Sequence, residues 1–206
     1  MSWQTREQVT VRSLLIWLRW SGVRRDELAN ARNDDLIGPV QGKDGRICHF
    51  WIVRGKGGRV RRVPLNEAMI QAYCQYLNTM GYFVQDKDFT SLHGRALFEL
   101  PRWTRYGMAR FAVRSVTGAD VYEAVQDLAE SAAEKATNAL DRQRLSQITP
   151  HWFRHRRAFE LEQQTSLAIA AQFLGHASVT TTQIYSSAAD FDLAAAVYPP
   201  SSMRPA

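Results

Sequence analysis

Apolar side chains recur at helical spacing in the first part of the chain. Between residues 6 and 20 they form a broad stripe made of Val9, Val11, Leu14, Leu15, Trp17 and Leu18. A helix with such a stripe buries it against the rest of a domain, so the segment predicts a core helix. Ser21 and Gly22 interrupt the pattern, and residues 23–31 predict a second, short helix. The turn between the two helices therefore lies directly before Arg24.

From residue 40 onward the pattern changes to short apolar runs that are typical of strands. Residues 47–53 and 59–63 flank a glycine-rich sequence, residues 54–58, and this arrangement predicts a β-hairpin with a glycine-rich tip. A short strand near Val40 completes a predicted three-stranded antiparallel sheet. Pro64 is expected to close the last strand, because proline lacks the N–H that a sheet ladder needs.

Beyond Pro64 the sequence predicts helices alone. Asn66 is expected to cap a helix through Leu77 that Gly81 ends. Further helices are expected over residues 103–113, 119–140, 150–164, 167–174 and 188–197. Together the elements predict an α+β domain, mainly α-helical with one small antiparallel sheet, over residues 1–198, followed by a flexible tail over residues 199–206.

Composition narrows the class of protein. A chain of 206 residues with 45% apolar side chains suits one domain. No stretch reaches the roughly eighteen uncharged apolar residues of a membrane span, and the polar N-terminus does not resemble a secretory signal. We therefore expect a cytoplasmic protein with no membrane partner. Cys48 and Cys74 lack the spacing of metal ligands and are predicted to be buried thiols, with a disulfide left open.

Basic residues are concentrated in the first third of the chain. The net charge is +6, and residues 1–62 hold 13 Lys and Arg against 6 Asp and Glu, whereas the remainder is nearly balanced. Clustered cations favour an acidic polymer as partner, because neutralising its phosphates releases condensed counterions. A solvated basic face without any such partner is the alternative that charge alone leaves open.

The residues that carry chemistry lie in the last third of the chain. His151 and Arg154 are three positions apart at the start of a predicted helix, so both point to one side of it. Gly175 ends the next helix and releases His176 into a turn, and Tyr185 follows a threonine-rich segment. Taken singly, the His151 and Arg154 pair also fits a basic surface patch, and Tyr185 fits a tyrosine packed on the core.

Taken together, the order and spacing of His-x-x-Arg, Leu-Gly-His and Thr-Thr-x-x-Tyr resemble the C-terminal signature of the tyrosine recombinase family, which is also called the phage integrase family. Two upstream elements extend this likeness. Residues 22–28, Gly-Val-Arg-Arg-Asp-Glu-Leu, resemble the family's turn into a helix, and residues 55–57 with residues 63–65 resemble its hairpin. The resemblance covers about residues 6–190 and implies the fold of the family's catalytic domain.

The resemblance implies an enzyme without metal or cofactor that cuts and rejoins double-stranded DNA through a covalent 3′-phosphotyrosine. The implied catalytic residues are Arg24, Lys56, His151, Arg154, His176 and Tyr185; Glu27 supports the site, and Arg54 and Arg59 contact DNA. Rival interpretations are a catalytically silent protein that competes for recombination sites, and a nicking and closing activity like that of type IB topoisomerases.

These residue types suit the reaction. Arg24 and Arg154 can grip the non-bridging oxygens, where negative charge builds up during in-line attack. A tyrosine with a pKa of about 10 needs a base to become a nucleophile, and His151 is the candidate. The leaving 5′ oxygen needs a proton, which Lys56 can supply, and His176 is expected to donate a hydrogen bond to the phosphate.

Three expectations concern the rest of the molecule. The resemblance implies a monomer in solution that forms a synaptic tetramer on DNA, with the helix over residues 188–197 docking on a neighbouring protomer. Family members usually carry an N-terminal core-binding domain, which is not recognisable here, so the chain is expected to be either an excised fragment or a short recombinase similar to fimbrial invertases. Residues 155–158 replace a common His-Thr-Phe-Ala run, and Arg156 and Arg157 are expected to face DNA or solvent.

Overall fold

The computed structural model describes residues 3–42, 44–101, 112–175 and 187–198. Within these ranges the chain forms a mainly helical α+β fold. The elements are α1 (Trp3–Ser21), α2 (Arg25–Ala29), β1 (Leu36–Gln41), β2 (Ile47–Arg54), β3 (Val60–Leu65), α3 (Glu67–Met80), β4 (Glu99–Pro101), β5 (Val113–Ser115), α4 (Gly118–Glu134), α5 (Ala139–Ser146), α6 (Pro150–Gln164), α7 (Leu167–Leu174) and α8 (Ser187–Val197).

The predicted core helix is α1, and its apolar stripe meets the sheet and α3 in an aromatic cluster. Trp17 is fully buried, and its ring centroid lies 5.6 Å from Trp51 and 5.4 Å from Tyr73. The indole Nε1 of Trp17 donates to the carbonyl of Met69 at 2.9 Å, so the polar edge of the ring is satisfied inside the core. The cluster fixes α1 against α3, and α6 packs against α1 as well.

The predicted three-stranded antiparallel sheet is confirmed, with the order β1-β2-β3. Both faces of β2 are covered, because Trp51 and Val53 join the main core while Cys48 and Phe50 pack with Ala194 of α8. Burial on both faces explains why residues 47–53 are almost continuously apolar. Pro64 was predicted to end β3, but the strand continues to Leu65, and Pro64 pairs with Phe50. A proline is tolerated there because β3 is an edge strand, where a missing N–H costs little.

Two predictions for the segments after the sheet are wrong. The chain does not become purely helical, since β4 pairs with β5 in a second, two-stranded sheet. Val113, expected at the end of a helix over residues 103–113, belongs to β5, and residues 103–111 lie outside the described residues. The single helix expected over residues 119–140 is two helices, α4 and α5, because Asn138 caps a new helix by accepting from the N–H of Asp141.

The helices that carry the candidate chemistry have the predicted ends. The side chain of Asn66 caps α3, and Gly81 ends it in the left-handed conformation at φ 86°. The hydroxyl of Ser166 caps α7 by accepting from the N–H of Ile169 at 3.3 Å, and Gly175 ends α7 at φ 68°. α6 begins at Pro150, whose fixed φ suits the first turn of a helix.

Other sequence expectations have mixed outcomes. Cys48 is buried and Cys74 is half-buried, and both are free thiols whose pKa is raised by burial. The tail over residues 199–206 lies outside the described residues. α8 packs against β3 and α7 of its own chain, with Leu193 and Val197 buried. Over the described ranges, no helix has both the length and the apolar character required to cross a bilayer.

Candidate active site

The turn between α1 and α2 places Arg24 at the edge of the core. Gly22 adopts φ 59°, and a methyl group there would lie 3.0 Å from Leu174 and 3.1 Å from Arg157. Glycine is therefore needed for both conformation and space. Arg24 is the N-cap of α2, and its backbone N–H donates to Glu27 at 2.8 Å in a capping box. Its guanidinium also donates to Glu27, at 3.1 Å, and the side chain is half-exposed at 49%.

Glu27, which was predicted to support the site, is buried between two arginines. Both of its oxygens accept hydrogen bonds from Arg61, at 3.0 Å from Nη1 and 2.8 Å from Nη2. The side chain of Glu27 is 5% exposed and that of Arg61 is 9% exposed. Burial alone would raise the pKa of Glu27, but the hydrogen bonds and charge of Arg61, followed by those of Arg24, outweigh it and lower the pKa. Glu27 is thus a carboxylate held between two arginines.

Arg61 is a site residue that the sequence analysis did not identify. It lies on β3, and its Nε donates to the carbonyl of Phe173 in α7 at 3.0 Å. A methyl group on Gly175 would lie 2.9 Å from the Cδ of Arg61, so the end of α7 fits closely against this side chain. The sequence gives little signal for this role, because Arg61 is one of three arginines in the predicted strand over residues 59–63, and only the fold shows that it is buried.

Arg154 is buried at the junction of α6 with the α1–α2 turn and the end of α7. It is 4% exposed, and its Nη1 and Nη2 donate to the carbonyls of Gly22 and Leu174 at 2.8 and 2.6 Å. Burial, with the nearby charges of Arg24 and Arg61, lowers its pKa to about 10. A guanidinium has five N–H donors, so these two bonds leave others for a ligand.

His151 lies one turn before Arg154 on α6 and is exposed. Its ring centroid is 4.2 Å from that of His155, with the two rings nearly perpendicular. Partial burial, followed by the charges of His155, Arg154 and Arg24, lowers the pKa of His151. The imidazole is therefore neutral at neutral pH and free to accept a proton. The structure thus brings Arg24, His151 and Arg154 into one electrostatic group.

The hairpin tip lies beside the same carboxylate. A methyl group on Gly55 would lie 3.1 Å from the Oε1 of Glu27, so the start of the tip is adjacent to Arg24 and Arg61. The backbone of Lys56 forms a short 3-10 turn with Gly57 and Gly58, and its side chain lies outside the described part of the chain.

The two predicted DNA contacts flank this tip. Arg54 is 67% exposed and donates to Asp35 at 3.1 Å, and Arg59 is exposed. Both arginines are thus accessible from solvent, although part of the charge of Arg54 is neutralised by Asp35. Their role toward DNA remains a prediction.

His176 and Tyr185 lie outside the described residues. The described chain ends on one side at Gly175, directly before His176 in sequence, and resumes at Ser187. A methyl group on Gly175 would lie 2.9 Å from Arg61, and the carbonyls of the two preceding residues accept from Arg61 and Arg154. The end of α7, directly before His176 in sequence, therefore lies against Arg61 and Arg154.

Arg156 and Arg157 were both expected to face DNA or solvent. Arg156 is exposed, but Arg157 is buried, so the prediction for Arg157 is wrong. Arg156 is exposed and donates to Glu160 at 2.9 Å. Arg157 is 1% exposed, and its guanidinium lies 5.2 to 5.5 Å from the ring centroids of Trp20, Phe173 and Tyr198. The cation lies in an aromatic box, and its Nη1 is 3.7 Å from a carboxylate oxygen of Glu160, so ring faces and one acidic side chain take the place of solvent. Within the described ranges, no group of three or more His, Cys, Asp or Glu side chains could hold a metal.

Comparison with known proteins gives consistent matches. The Phage integrase family model matches residues 3–191. Tyrosine recombinase XerD of Caulobacter vibrioides is 35% identical over 146 residues, which are 70% of this chain and 41% of the relative. Tyrosine recombinase XerC of Neisseria meningitidis serogroup C is 28% identical over 180 residues, which are 86% of this chain and 47% of the relative. The chain thus spans less than half the length of these relatives.

Solved structures share the fold. The XerH site-specific recombinase bound to difH substrate, in a pre-cleavage complex, aligns with a TM-score of 0.55 at 21% identity, over 90% of this chain and 45% of that chain. XerA recombinase aligns with a TM-score of 0.53 at 21% identity, over 100% of this chain and 65% of that chain. Because the family pattern extends across nearly the whole sequence and the fold agrees, this chain belongs to the phage integrase family of tyrosine recombinases.

Proposed function

We propose that residues 1–198 form the catalytic domain of a site-specific DNA recombinase that cuts and rejoins strands through Tyr185. The observation that carries the proposal is the position of Arg154, one turn after His151 on α6, whose guanidinium donates to the carbonyls of Gly22 and Leu174 and so joins the turn before Arg24 to the end of α7. Two arginines and a histidine are the residue types that a phosphodiester under in-line attack requires, and the charges of Arg24 and Arg154 act on His151.

In the proposed reaction the phenolic oxygen of Tyr185 attacks the scissile phosphorus, and the bond from phosphorus to the 5′ oxygen breaks. The phenolic proton passes to His151, which is neutral because its pKa is lowered. The leaving 5′ oxygen takes a proton from Lys56. The products are a 3′-phosphotyrosine and a free 5′-hydroxyl. Rejoining is the reverse attack by a 5′-hydroxyl, and it needs no external energy because the phosphodiester is conserved as a phosphotyrosine.

Arg24 and Arg154 divide the stabilisation of the phosphate between them. Arg24 is half-exposed and can move its guanidinium onto a non-bridging oxygen, whereas Arg154 is buried and presents a fixed edge. His176 would add a hydrogen bond to the same phosphate. A clamp of this kind, arranged before the substrate binds, needs little reorganisation as charge develops in the transition state.

Double-stranded DNA is the proposed substrate and partner. The XerH site-specific recombinase has been solved on difH substrates in pre-cleavage and post-cleavage complexes, and the basic first third of this chain would supply cations for phosphates. Arg54 and Arg59, on either side of the hairpin tip, would contact the backbone of the duplex. Assembly of a monomer into a synaptic tetramer on DNA, and a cytoplasmic location at the nucleoid, complete the proposal.

A pool of nicked duplexes, randomised in sequence around the nick, tests the function. Release of the short strand next to the nick traps cleaved DNA on the protein, so an active enzyme yields a gel-shifted adduct that protease removes. Sequencing the trapped DNA then identifies a defined substrate. Binding without any adduct would favour the silent competitor, and efficient relaxation of a supercoiled plasmid without exchange of partners would favour the topoisomerase interpretation.

A further inference from the structure

We propose that Arg61 is a positioning residue for strand cleavage, which locks the N-terminus of α2, carrying Arg24, to the C-terminus of α7, leading to His176. This inference rests on the proposed function and deepens it. Arg61 does not have to touch DNA in this role. It holds Glu27, which binds Arg24, and the last turn of α7.

Arg61 donates a hydrogen bond from each of its three guanidinium nitrogens. Nη1 and Nη2 grip the two oxygens of Glu27 at 3.0 and 2.8 Å, and Nε donates to the carbonyl of Phe173 at 3.0 Å. The residue is 8% exposed. A planar guanidinium that binds partners through all three nitrogens fixes the relative position of these partners, and a lysine cannot reproduce that geometry.

The partners of Arg61 are the framework of the site. Glu27 accepts from both the backbone N–H and the guanidinium of Arg24, so moving Glu27 moves Arg24. Phe173 belongs to the last turn of α7, where carbonyls lack helical partners. Arg61 takes the carbonyl of Phe173, and Arg154 takes the next one, that of Leu174. Two arginines therefore hold successive carbonyls directly before Gly175.

The close fit at Gly175 supports the same conclusion. A methyl group there would lie 2.9 Å from the Cδ of Arg61 and 3.3 Å from its Nη1. Gly81 also ends a helix in the left-handed conformation, yet a methyl group on it would meet nothing within 4 Å. The end of α7 is thus shaped around Arg61, in addition to needing glycine for its backbone angles.

Without Arg61, Glu27 would be a buried carboxylate with one remaining charge partner. Arg24 already donates to its Oε1 at 3.1 Å, so its guanidinium would be drawn toward Glu27 and away from the phosphate. The consequence is a specific one, because losing Arg61 should resemble losing Arg24. Cleavage should slow, whereas DNA binding should be retained.

The experiment uses the full chain and two nicked duplexes. Both have the sequence identified in the trapped adduct, and the second carries a methylphosphonate in place of the scissile phosphate. A methylphosphonate replaces one charged non-bridging oxygen by a methyl group and so reduces the need for a guanidinium. We expect Arg61→Met to slow adduct formation at saturating DNA by about 100-fold on the phosphodiester. On the methylphosphonate the loss should shrink to less than about 5-fold, as it should for Arg24→Ala.

The double variant makes the test independent of general destabilisation. If Arg61 acts through Arg24, then Arg24→Ala with Arg61→Met cleaves no more slowly than Arg24→Ala alone, because the two effects are not additive. Arg61→Lys keeps the charge for folding and should show the same rescue on the methylphosphonate. Arg114→Met removes another bidentate arginine–carboxylate pair, with Asp120, and should leave the rate unchanged.

The outcomes separate the two proposals. Adducts with the unsubstituted chain, together with normal cleavage by Arg61→Met, would overturn the positioning role alone. Equal losses on both substrates, or a double variant slowed by the product of the single effects, would also overturn it and leave a structural role. No adduct with the unsubstituted chain on any duplex of the pool would overturn the proposed function itself.

Discussion

Buried arginines determine the chemistry of the interior around this site. Arg61, Arg154 and Arg157 are each at most 8% exposed, and each has its own set of partners. Arg61 binds the carboxylate of Glu27 and the carbonyl of Phe173, Arg154 binds two backbone carbonyls, and Arg157 lies among aromatic rings beside Glu160. A guanidinium stays protonated even when it is buried, so each of these cations needs its own partners in the fold. Removing a partner is therefore more damaging than removing an exposed charge.

Glu27→Gln should lower the free energy of unfolding by about 3–5 kcal/mol at neutral pH, because it leaves Arg61 buried without its counter-charge. The folded pKa of Glu27 is lowered, so its stabilisation is fully present above the unfolded value of about 4.3 and is lost as pH falls through the folded pKa. Urea denaturation at several pH values measures both effects. Equal stability of the two proteins at neutral pH would contradict the role of Glu27.

His155→Asn should move the acidic limb of the rate of adduct formation to higher pH. Burial is the main cause of the lowered pKa of His151, and the charge of His155 is the next one, so removing His155 raises that pKa by a small amount. A base must be neutral to act, and a higher pKa means that activity is lost at a higher pH as the solution is acidified. Single-turnover rates across a pH series measure the limb. A shift in the opposite direction would argue against His151 as the base.

The sequence predicted Arg24, Glu27, His151 and Arg154 because they belong to local motifs. The structure places Arg24 against Glu27, and the charges of Arg24 and Arg154 act on His151, while the roles of these residues toward a phosphate stay predictions. Arg61 was missed, because its importance depends on contacts with Phe173, which is 112 positions away. Arg157 was predicted to be outside because it is charged, and only the packing of α1, α7 and the residue after α8 creates its aromatic box.

Helix ends are the elements that align the site. α2 begins directly after Arg24, α6 begins just before His151, and α7 ends at Gly175. The proline in the first turn of α6 and the left-handed glycine after α7 are local sequence signals, and these two ends lie where they were predicted. The helix predicted over residues 23–31 is shorter, because it begins at Arg25 after an arginine N-cap, which is not a usual N-cap residue. The three-residue strands β4 and β5 have no comparable signal, because two strands this short are defined only by their pairing.

Gly175→Ala and Gly81→Ala form a matched pair for the end of α7. Both glycines end a helix at positive φ, so each substitution should cost about 1 kcal/mol from backbone strain. Gly175→Ala should cost more and should also slow adduct formation, because its methyl group displaces Arg61. Urea denaturation and single-turnover cleavage measure the two effects. Identical behaviour of the two variants would contradict the close fit at Gly175.

The break between α4 and α5 was not predicted from the sequence. Residues 119–140 are rich in Ala and Glu, and such composition favours one continuous helix. The structure instead ends α4 at Glu134 and starts α5 after Asn138, whose side chain caps the new helix. Asparagine is a common N-cap residue, but the high helix propensity of the residues around Asn138 favoured the prediction of one continuous helix.

Across the whole molecule, the uneven charge predicts how DNA is bound. Arg59 is exposed beside the hairpin tip, and we expect it to neutralise one phosphate. Arg59→Ala should therefore reduce the slope of log Kd against log salt by about 1. Lys135→Ala, at the exposed end of α4, should leave the slope unchanged. Titrations of a fluorescent duplex at several salt concentrations give both slopes, and equal slopes for Arg59→Ala and the unsubstituted chain would remove Arg59 from the interface.

The central claim is that Tyr185 attacks a phosphate bound by Arg24 and Arg154, with His151 as the base. It concerns the whole molecule, because Tyr185 follows the Leu-Gly-His motif and the other three residues lie in α6 and at the start of α2. The most direct measurement is the identity of the covalent bond in the trapped adduct, obtained by nuclease trimming and mass spectrometry of its peptides. The account predicts one nucleotide 3′-phosphate on Tyr185, a free 5′-hydroxyl on the released strand, and DNA binding without adduct by Tyr185→Phe. A nucleotide on any other residue, or an adduct formed by Tyr185→Phe, would contradict it.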